Sequence, residues 1–310
     1  MTRAVVFAYH DLGVRCLSVL LAHRVEIPLV VTHADNPAEK IWFESVAELA
    51  RAHGIAVAKP ADANDPAFVS RVATLQPDLL FSFYYRQMLV PALLSLAPRG
   101  AFNMHGSLLP KYRGRAPINW AIINGERETG ATLHEMVAKP DAGPIIDQQA
   151  FAILPNDIAL EVFRNFTAAA EMILHRSLPR LLAGTAVRQR QDLSAGSYFG
   201  GRRPEDGRID WNNNTAAIHN LVRAVAPPYP GAFCRLRGAT LRILRTLDVG
   251  ERSGTRGKPT LLMRGDELLV RCTDGGMLKV LNAELDGHPL TSATMKERLG
   301  TDSEPLIDVC

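Results

Sequence analysis

The chain has 310 residues, 47% hydrophobic and 22% charged, with a formal net charge of +3; this balance excludes disordered and collagen-like classes and leaves room for two domains. So mild a charge gives no footprint of nucleic acid or an anionic membrane. Cys16, Cys234, Cys272 and Cys310 are far apart and form no CxxC pair, which argues against a disulfide framework or zinc site and suits a reducing cytoplasm.

The apolar run in MTRAVVFAYHDLG is too short for a signal peptide. Nowhere do about 18 uncharged apolar residues run together, so no membrane span is expected. Arg3 to Tyr9 is a short apolar run with β-branched valines and predicts a strand. A helical pattern follows from Leu12 to His23, then a second strand over Ile27 to Thr32. Glu39 to Ala52 is amphipathic at helical spacing and ends on His53-Gly54. Ile55 to Val57 predicts a third strand, Asp65-Pro66 opens a helix through Leu75, and Asp78 to Phe83 and Gly100 to His105 predict two more strands. A long helix follows Ile158, with Asp157 as its expected N-cap and Gly184 as its stop. Beyond Ser194 short β-type runs, Thr240 to Leu244, Leu268 to Cys272 and Leu278 to Val280, alternate with turn residues.

Nearly all-apolar strands alternating with helices predict a Rossmann-like, mostly parallel α/β sheet covered on both faces. Its ligands would sit beyond the carboxyl ends of the strands. A small β-rich, barrel-like second domain is expected after it, with the boundary between 190 and 205. The first βα turn, Tyr9-His10-Asp11-Leu12-Gly13, lacks GxGxxG, and no GxxxxGK[ST] occurs. Neither an NAD site nor a P-loop is supported.

The stretch from Gly100 to Trp120, GAFNMHGSLLPKYRGRAPINW, carries the chemistry. Asn103 and His105 are two apart, so a strand projects both to one side and Met104 to the other. An amide that can donate to a developing oxyanion thus stands beside a base tunable near neutral pH. Pro110 and Pro117 bracket a loop with Lys111, Arg113 and Arg115, a stiffened anion receptor. Asp141 lies in a Pro-Asp-Ala-Gly turn. By itself it reads as a turn aspartate, and as a partner of His105 it would orient the ring. Taken alone, N-x-H reads more readily as a hydrogen-bonded strand end.

NMHGSLLPKYRG, ERETGAT (Glu126 to Thr132) and DAGPI occur in that order. Together they resemble the formyltransferases that use 10-formyltetrahydrofolate. FAYHDLG, THADNPAEK, FSFYYR, TLHEMVAKPDAG, FGGRRPEDG and RAVAPPYPGAF extend the resemblance to the UDP-4-amino-4-deoxy-L-arabinose formyltransferase domain. That domain is the N-terminal part of a bifunctional enzyme of lipid A modification and polymyxin resistance. The similarity is strong over residues 3 to 240; SLLP alone would identify only the superfamily.

The resemblance implies a catalytic domain over 1–195 and an OB-like β domain over 196–310. It implies Asn103 as oxyanion donor, His105 as proton carrier and Asp141 as the group that raises the His105 pKa and fixes its tautomer. Folate contacts would fall on Gln87, Met88 and Leu89, on Arg115, and on Val137, Ala138, Lys139, Pro140 and Asp141. Without the resemblance, Met88 and Leu89 read as ordinary helix-core residues. Arg113, Arg202 and Arg203 would meet the diphosphate of an amino sugar nucleotide, and Tyr84, Tyr85 and Tyr229 the sugar or uracil. The stiff PPYPG loop carrying Tyr229 would lie near the cleft. No metal and no covalent enzyme intermediate are implied.

Two rivals share the chemistry: methionyl-tRNA formyltransferase, and a formyltransferase acting on another amino sugar nucleotide. Against the tRNA enzyme, HADNPAEKIWFE after the second strand is short and balanced in charge, without the clustered cations a phosphate backbone needs. A non-catalytic folate-binding regulator or scaffold is the alternative outside enzymology. The bifunctional relative continues into an NAD-dependent decarboxylase; the second domain here has no GxGxxG, so formyl transfer alone is expected. The resemblance leaves assembly open, with a homo-oligomer compatible.

Overall fold

The computed structural model describes residues 2–36, 41–252 and 256–306. Their contacts form two compact units: Met1–Pro117, Thr129–Phe151 and Arg164–Phe199 make the first, and Ile118–Glu128, Ala152–Phe163 and Gly200–Cys310 the second. In chain order the elements through the first unit are β1 (Arg3–Ala8), α1 (His10–Ala22), β2 (Glu26–Val31), α2 (Val46–Ala52), β3 (Ala56–Ala58), α3 (Pro66–Thr74), β4 (Leu79–Phe83), α4 (Pro91–Leu94), β5 (Ala101–His105), β6 (Arg113–Gly114), α5 (Pro117–Ile123), β7 (Glu128–Glu135), β8 (Ile145–Ala152), α6 (Ala159–Ala183) and β9 (Tyr198–Phe199).

Seven strands form one sheet in the order β3-β2-β1-β4-β5-β7-β8. The five strands from β3 to β5 run parallel, and β7 is antiparallel to β5. Leu79 to Phe83 are buried throughout, as are Ala4 to Ala8, which is why both runs read as continuous apolar sequence. The order reverses at β1: β2 lies on one side and β4 on the other. The carboxyl ends of β1 and β4 therefore flank a switch point, the usual crevice of such sheets. Both chain exits there are left-handed, His10 at φ 68° and Tyr84 at φ 60°. Such backbone is uncommon for residues with a Cβ and gathers at functional sites.

The second-strand helix begins later than its amphipathic pattern. Ser45 caps α2 by accepting the Glu48 N–H at 3.3 Å, and residues 41–45 lie outside the helix. Positions 39 and 40 fall outside the described residues. Phe43 instead stacks on His10 at 4.0 Å and Trp42 meets that ring edge-on at 4.4 Å; ring packing at the sheet end outweighs local periodicity. Asp65 caps α3 as expected, accepting from Ala67 and Phe68. Asp157 does not cap α6. Its carboxylate turns back to the Leu154 N–H at 2.8 Å, and the Ile158 N–H donates instead to Glu161 at 2.8 Å.

The second unit adds α7 (Thr215–Ala224), β10 (Ala232–Leu236), β11 (Ala239–Arg252), β12 (Thr260–Arg264), β13 (Glu267–Arg271), β14 (Gly276–Leu285), β15 (His288–Pro289), α8 (Ser292–Leu299) and β16 (Ser303–Pro305). These strands form an antiparallel, half-barrel sheet in the order β10-β11-β14-β13-β12-β16, with β15 on β14. Ala232, Cys234 and Leu236 are buried while Phe233 and Arg235 are not, the alternation of a one-sided sheet. Its core includes Ile209, Trp211, Val222, Leu241 and Leu278. Among the described residues no helix is long and apolar enough to cross a membrane.

Candidate active site

Asn103 and His105 lie on β5, whose parallel neighbour is β4 and whose antiparallel neighbour is β7. The register sets His134 opposite Asn103 and Thr132 opposite His105. Alternation along each strand then places all four side chains on one face. The Asn103 amide nitrogen is 3.2 Å from His134 Nε2. Thr132 pins the loop after β5. Its hydroxyl donates to the Ser107 carbonyl at 2.6 Å and accepts from the Leu109 N–H and the Gln148 side chain.

The loop comes back over the strand end. His105 Nε2 donates to the Tyr112 carbonyl at 2.8 Å, because that oxygen can only accept. In the neutral ring Nδ1 is therefore the basic nitrogen, and it stands 3.6 Å from Asp141 Oδ1. The Gly114 N–H donates to Asp141 Oδ2 at 2.8 Å. Asp141 is itself left-handed, φ 50°. Gln191 holds that turn, donating to the Asp141 carbonyl at 3.0 Å and to the Gly143 carbonyl at 2.6 Å. His134 Nδ1 donates to the Glu135 carbonyl at 2.9 Å, and its Nε2 lies 3.5 Å from Asp141 Oδ1.

Electrostatics divide the pair. Burial pushes the His105 pKa down from 6.5 and outweighs the opposing pull of the Asp141 carboxylate and the Tyr112 carbonyl. The expectation that Asp141 raises the His105 pKa thus holds for its own influence but not for the net direction. Burial also acts to raise Asp141, but His105, His134 and the Gly114 N–H overcome it and hold the carboxyl well below the ordinary range. At neutral pH the site holds a neutral imidazole beside an ionised carboxylate. Such a pair can take a proton on Nδ1 and place the new charge against Oδ1.

The other predicted residues scatter in role. Gln87 is committed: it accepts from the Ala63 N–H and donates to the Ala61 carbonyl. Leu89 belongs to the core, and Met88 is 59% exposed in a segment that is not helical. Val137, Ala138 and Lys139 are exposed, Pro140 half-buried, and Arg115 exposed. A cavity of about 520 Å³ lies between Pro91 and Leu94 and the Met136–Ala138 turn; its lining does not include Asn103, His105 or Asp141.

Tyr85 is buried, stacked on His33 at 4.1 Å, and Tyr84 is half-buried near His10. Arg113 is buried rather than displayed, with Nη2 at 3.4 Å from the Leu193 carbonyl. In the second unit Arg202 lies over the Trp120 ring at 4.7 Å and donates to the Asp206 carbonyl. The Arg203 N–H donates to the Asp206 side chain, and Tyr229 packs against the second core with its hydroxyl on Asn119. His134 was not singled out from the sequence. Its only local signal is the T-x-H alternation in TLHE, which fixes a face and not a partner.

Models of two families match the chain: formyl transferase over residues 17–178, and formyl transferase, C-terminal domain, over 202–297. Among solved structures, the N-formyltransferase from Helicobacter canadensis in complex with folinic acid and dTDP-3-aminofucose superposes with a TM-score of 0.69 at 22% identity, covering 90% of this chain and 99% of that one. WlaRD, a sugar 3N-formyltransferase with dTDP and 5-N-formyl-THF, gives 0.69 at 20% identity, covering 92% and 98%. HypX from Aquifex aeolicus, in complex with tetrahydrofolic acid, gives 0.64 at 19% identity over 95% of this chain and 46% of that one. At these identities the structures attest the fold, while the family models span the bulk of both units. The chain therefore belongs to the formyl transferase family and is a formyl-transfer enzyme.

Proposed function

We propose that the enzyme moves a formyl group from 10-formyltetrahydrofolate to the 4-amino group of UDP-4-amino-4-deoxy-L-arabinose, giving UDP-4-deoxy-4-formamido-L-arabinose for lipid A modification. The observation that carries the chemistry is the meeting of Asn103, His105 and Asp141 at the end of β5, with His105 neutral and Asp141 ionised. The arabinose rests on the motifs from FAYHDLG to RAVAPPYPGAF. A folate donor is supported by the neighbours from Helicobacter canadensis and Aquifex aeolicus, which are complexes with folinic acid and tetrahydrofolic acid.

The two segments assigned to folate suit a flat ring. Met136, Leu89 and Val90 belong to the same core cluster, and Met88 and Val137 are exposed apolar side chains in the two segments. Folate supplies a formyl carbon activated by its nitrogen substituent. The chain's own residues do the rest. Asn103 donates an N–H to the formyl oxygen as negative charge builds on it. His105 Nδ1 takes the proton of the attacking amine, and Asp141 Oδ1 receives the resulting N–H. As the new C–N bond forms and the bond to the folate nitrogen breaks, His105 returns that proton to the folate nitrogen. Arg115 is assigned to folate, and Arg113, Arg202, Arg203, Tyr84, Tyr85 and Tyr229 to the nucleotide and sugar.

A substrate panel tests the proposal: UDP-4-amino-4-deoxy-L-arabinose, dTDP-4-amino and dTDP-3-amino sugars, and charged initiator tRNA, each with 10-formyltetrahydrofolate. The arabinose nucleotide should give the highest kcat/KM, with release of tetrahydrofolate. Exclusive turnover of a dTDP-3-amino sugar would favour the second reading, for which the dTDP-3-aminofucose in the Helicobacter canadensis complex speaks.

A further inference from the structure

We propose that His134 fixes the polarity of the reaction centre, acting as a positioning residue that decides which end of the Asn103 carboxamide is presented as donor. The inference deepens the catalytic reading above and rests on it for the role of Asn103.

The Glu135 carbonyl can only accept, so the proton of the neutral His134 ring is on Nδ1, 2.9 Å from that oxygen. The same ring then carries a lone pair on Nε2. Asn103 places a carboxamide terminus 3.2 Å from this lone pair. An amide oxygen there would set two lone pairs against each other, so the nitrogen must occupy the position. One N–H is donated to His134, and the second N–H of the same nitrogen is left for the formyl oxygen. A main-chain carbonyl thus dictates, through one imidazole, that the site offers a donor where oxyanion charge develops.

Three features keep the ring from escaping this duty. It is 1% exposed. It stands opposite Asn103 in the β5–β7 register, so the strand pairing keeps the two side chains adjacent. Its Nε2 also lies 3.5 Å from Asp141 Oδ1. The same oxygen faces the proton arriving on His105, whose Nδ1 is 3.6 Å away. A second proton on His134 would turn Nε2 into a donor to Asp141 and drive the Asn103 N–H off.

Two experiments decide it. The first needs no substrate: a long-range 1H–15N spectrum of the whole 15N-labelled chain at pH 7, with His134 assigned by its loss in His134→Gln. The Nδ1–H tautomer is expected; the Nε2–H tautomer would overturn the proposal. The second is kinetic. His134→Asn keeps a donor for the Glu135 carbonyl and removes the acceptor at Nε2. It should lower kcat about 10- to 100-fold, the size of a misplaced reacting group, with KM values within about threefold. His134→Gln can put an amide oxygen at the Nε2 position and should recover most of the loss. Native kcat in His134→Asn, or a rise in KM alone, would also overturn it. If the arabinose nucleotide is not turned over, the substrate assignment falls; the tautomer still decides the present proposal, and the kinetic arm is run with whichever panel amine is formylated.

Discussion

A buried imidazole that must accept a proton faces two opposed demands. Burial keeps His105 neutral and ready, yet the same burial penalises the imidazolium it has to become. Asp141 resolves the conflict only if its own charge is secure, and the Gly114 N–H donates to it. The pH profile follows. Since the His105 pKa lies below 6.5, the acid limb of kcat/KM should fall below pH 6.5 in the native enzyme. Asp141→Asn removes an influence that raises the His105 pKa, so the limb should move to still lower pH while the plateau drops about 100-fold or more. Asn103→Ala should lose about 100- to 1,000-fold in kcat without shifting the limb. Rates measured from pH 5 to 8 check all three; a limb that moves to higher pH in Asp141→Asn would remove Asp141 from its role. The common side of Asn103 and His105 was legible from their spacing alone. His134 was not, because its partner is set by β7 entering antiparallel beside β5, a pairing between residues about thirty positions apart.

At the scale of elements, the site depends on a very small one. β6 is two residues long and pairs with β9, Arg113 to Tyr198 and Gly114 to Phe199. This pairing fixes the peptide whose ends hold both His105, through the Tyr112 carbonyl, and Asp141, through the Gly114 N–H. Gly114 has φ 97°, and a Cβ there would run into the Phe199 carbonyl. Gly114→Ala should therefore cost about 1 kcal/mol or more of stability and should also lose most of kcat as the N–H leaves Asp141. Gly54→Ala is the control. Its φ is 70° with nothing within 4 Å of the added carbon, so it should lose about 1 kcal/mol and keep its kcat. Denaturant midpoints and initial rates on the two variants separate these outcomes; native kcat in Gly114→Ala would mean that the β6 peptide does not hold the carboxylate. The proline-bracketed loop announced stiffness in the sequence. It did not announce that Tyr198 and Phe199 would supply the scaffold, since no local pattern marks two-residue strands 85 positions apart. Helix caps divide similarly: Asp65 precedes a proline and behaves as its type predicts, whereas Asp157 has a nearer backbone donor at Leu154.

Across the whole molecule the legible part was the alternation of apolar strands and helices through His105, and the shift to short β-type runs beyond Ser194. What that alternation conceals is how many histidines fold into places where charge is unwelcome. His10 is pushed down to about 3 by burial, with the Arg86 cation adding to it. His33 is lowered by the same two causes. Burial likewise lowers His105, and in the second unit His219, whose ring lies between Thr246 and the Pro155 carbonyl. In each case the unfolded chain binds a proton at a higher pH than the folded one. Stability must then fall as pH drops below 6.5, by up to about 1.4 kcal/mol per pH unit for each ring that refuses its proton. The carboxylates held low in the fold act in the same direction, but only once pH approaches their ordinary values near 4. Urea midpoints should thus decline steadily from pH 7 to pH 5, before any carboxylate titrates. His10→Asn offers a sharper test, because asparagine tolerates the left-handed backbone at φ 68° and cannot titrate. It should flatten the slope between pH 6.5 and 5 by roughly one ring's share; an unchanged slope would show that His10 takes up its proton in the folded chain as readily as in the unfolded one.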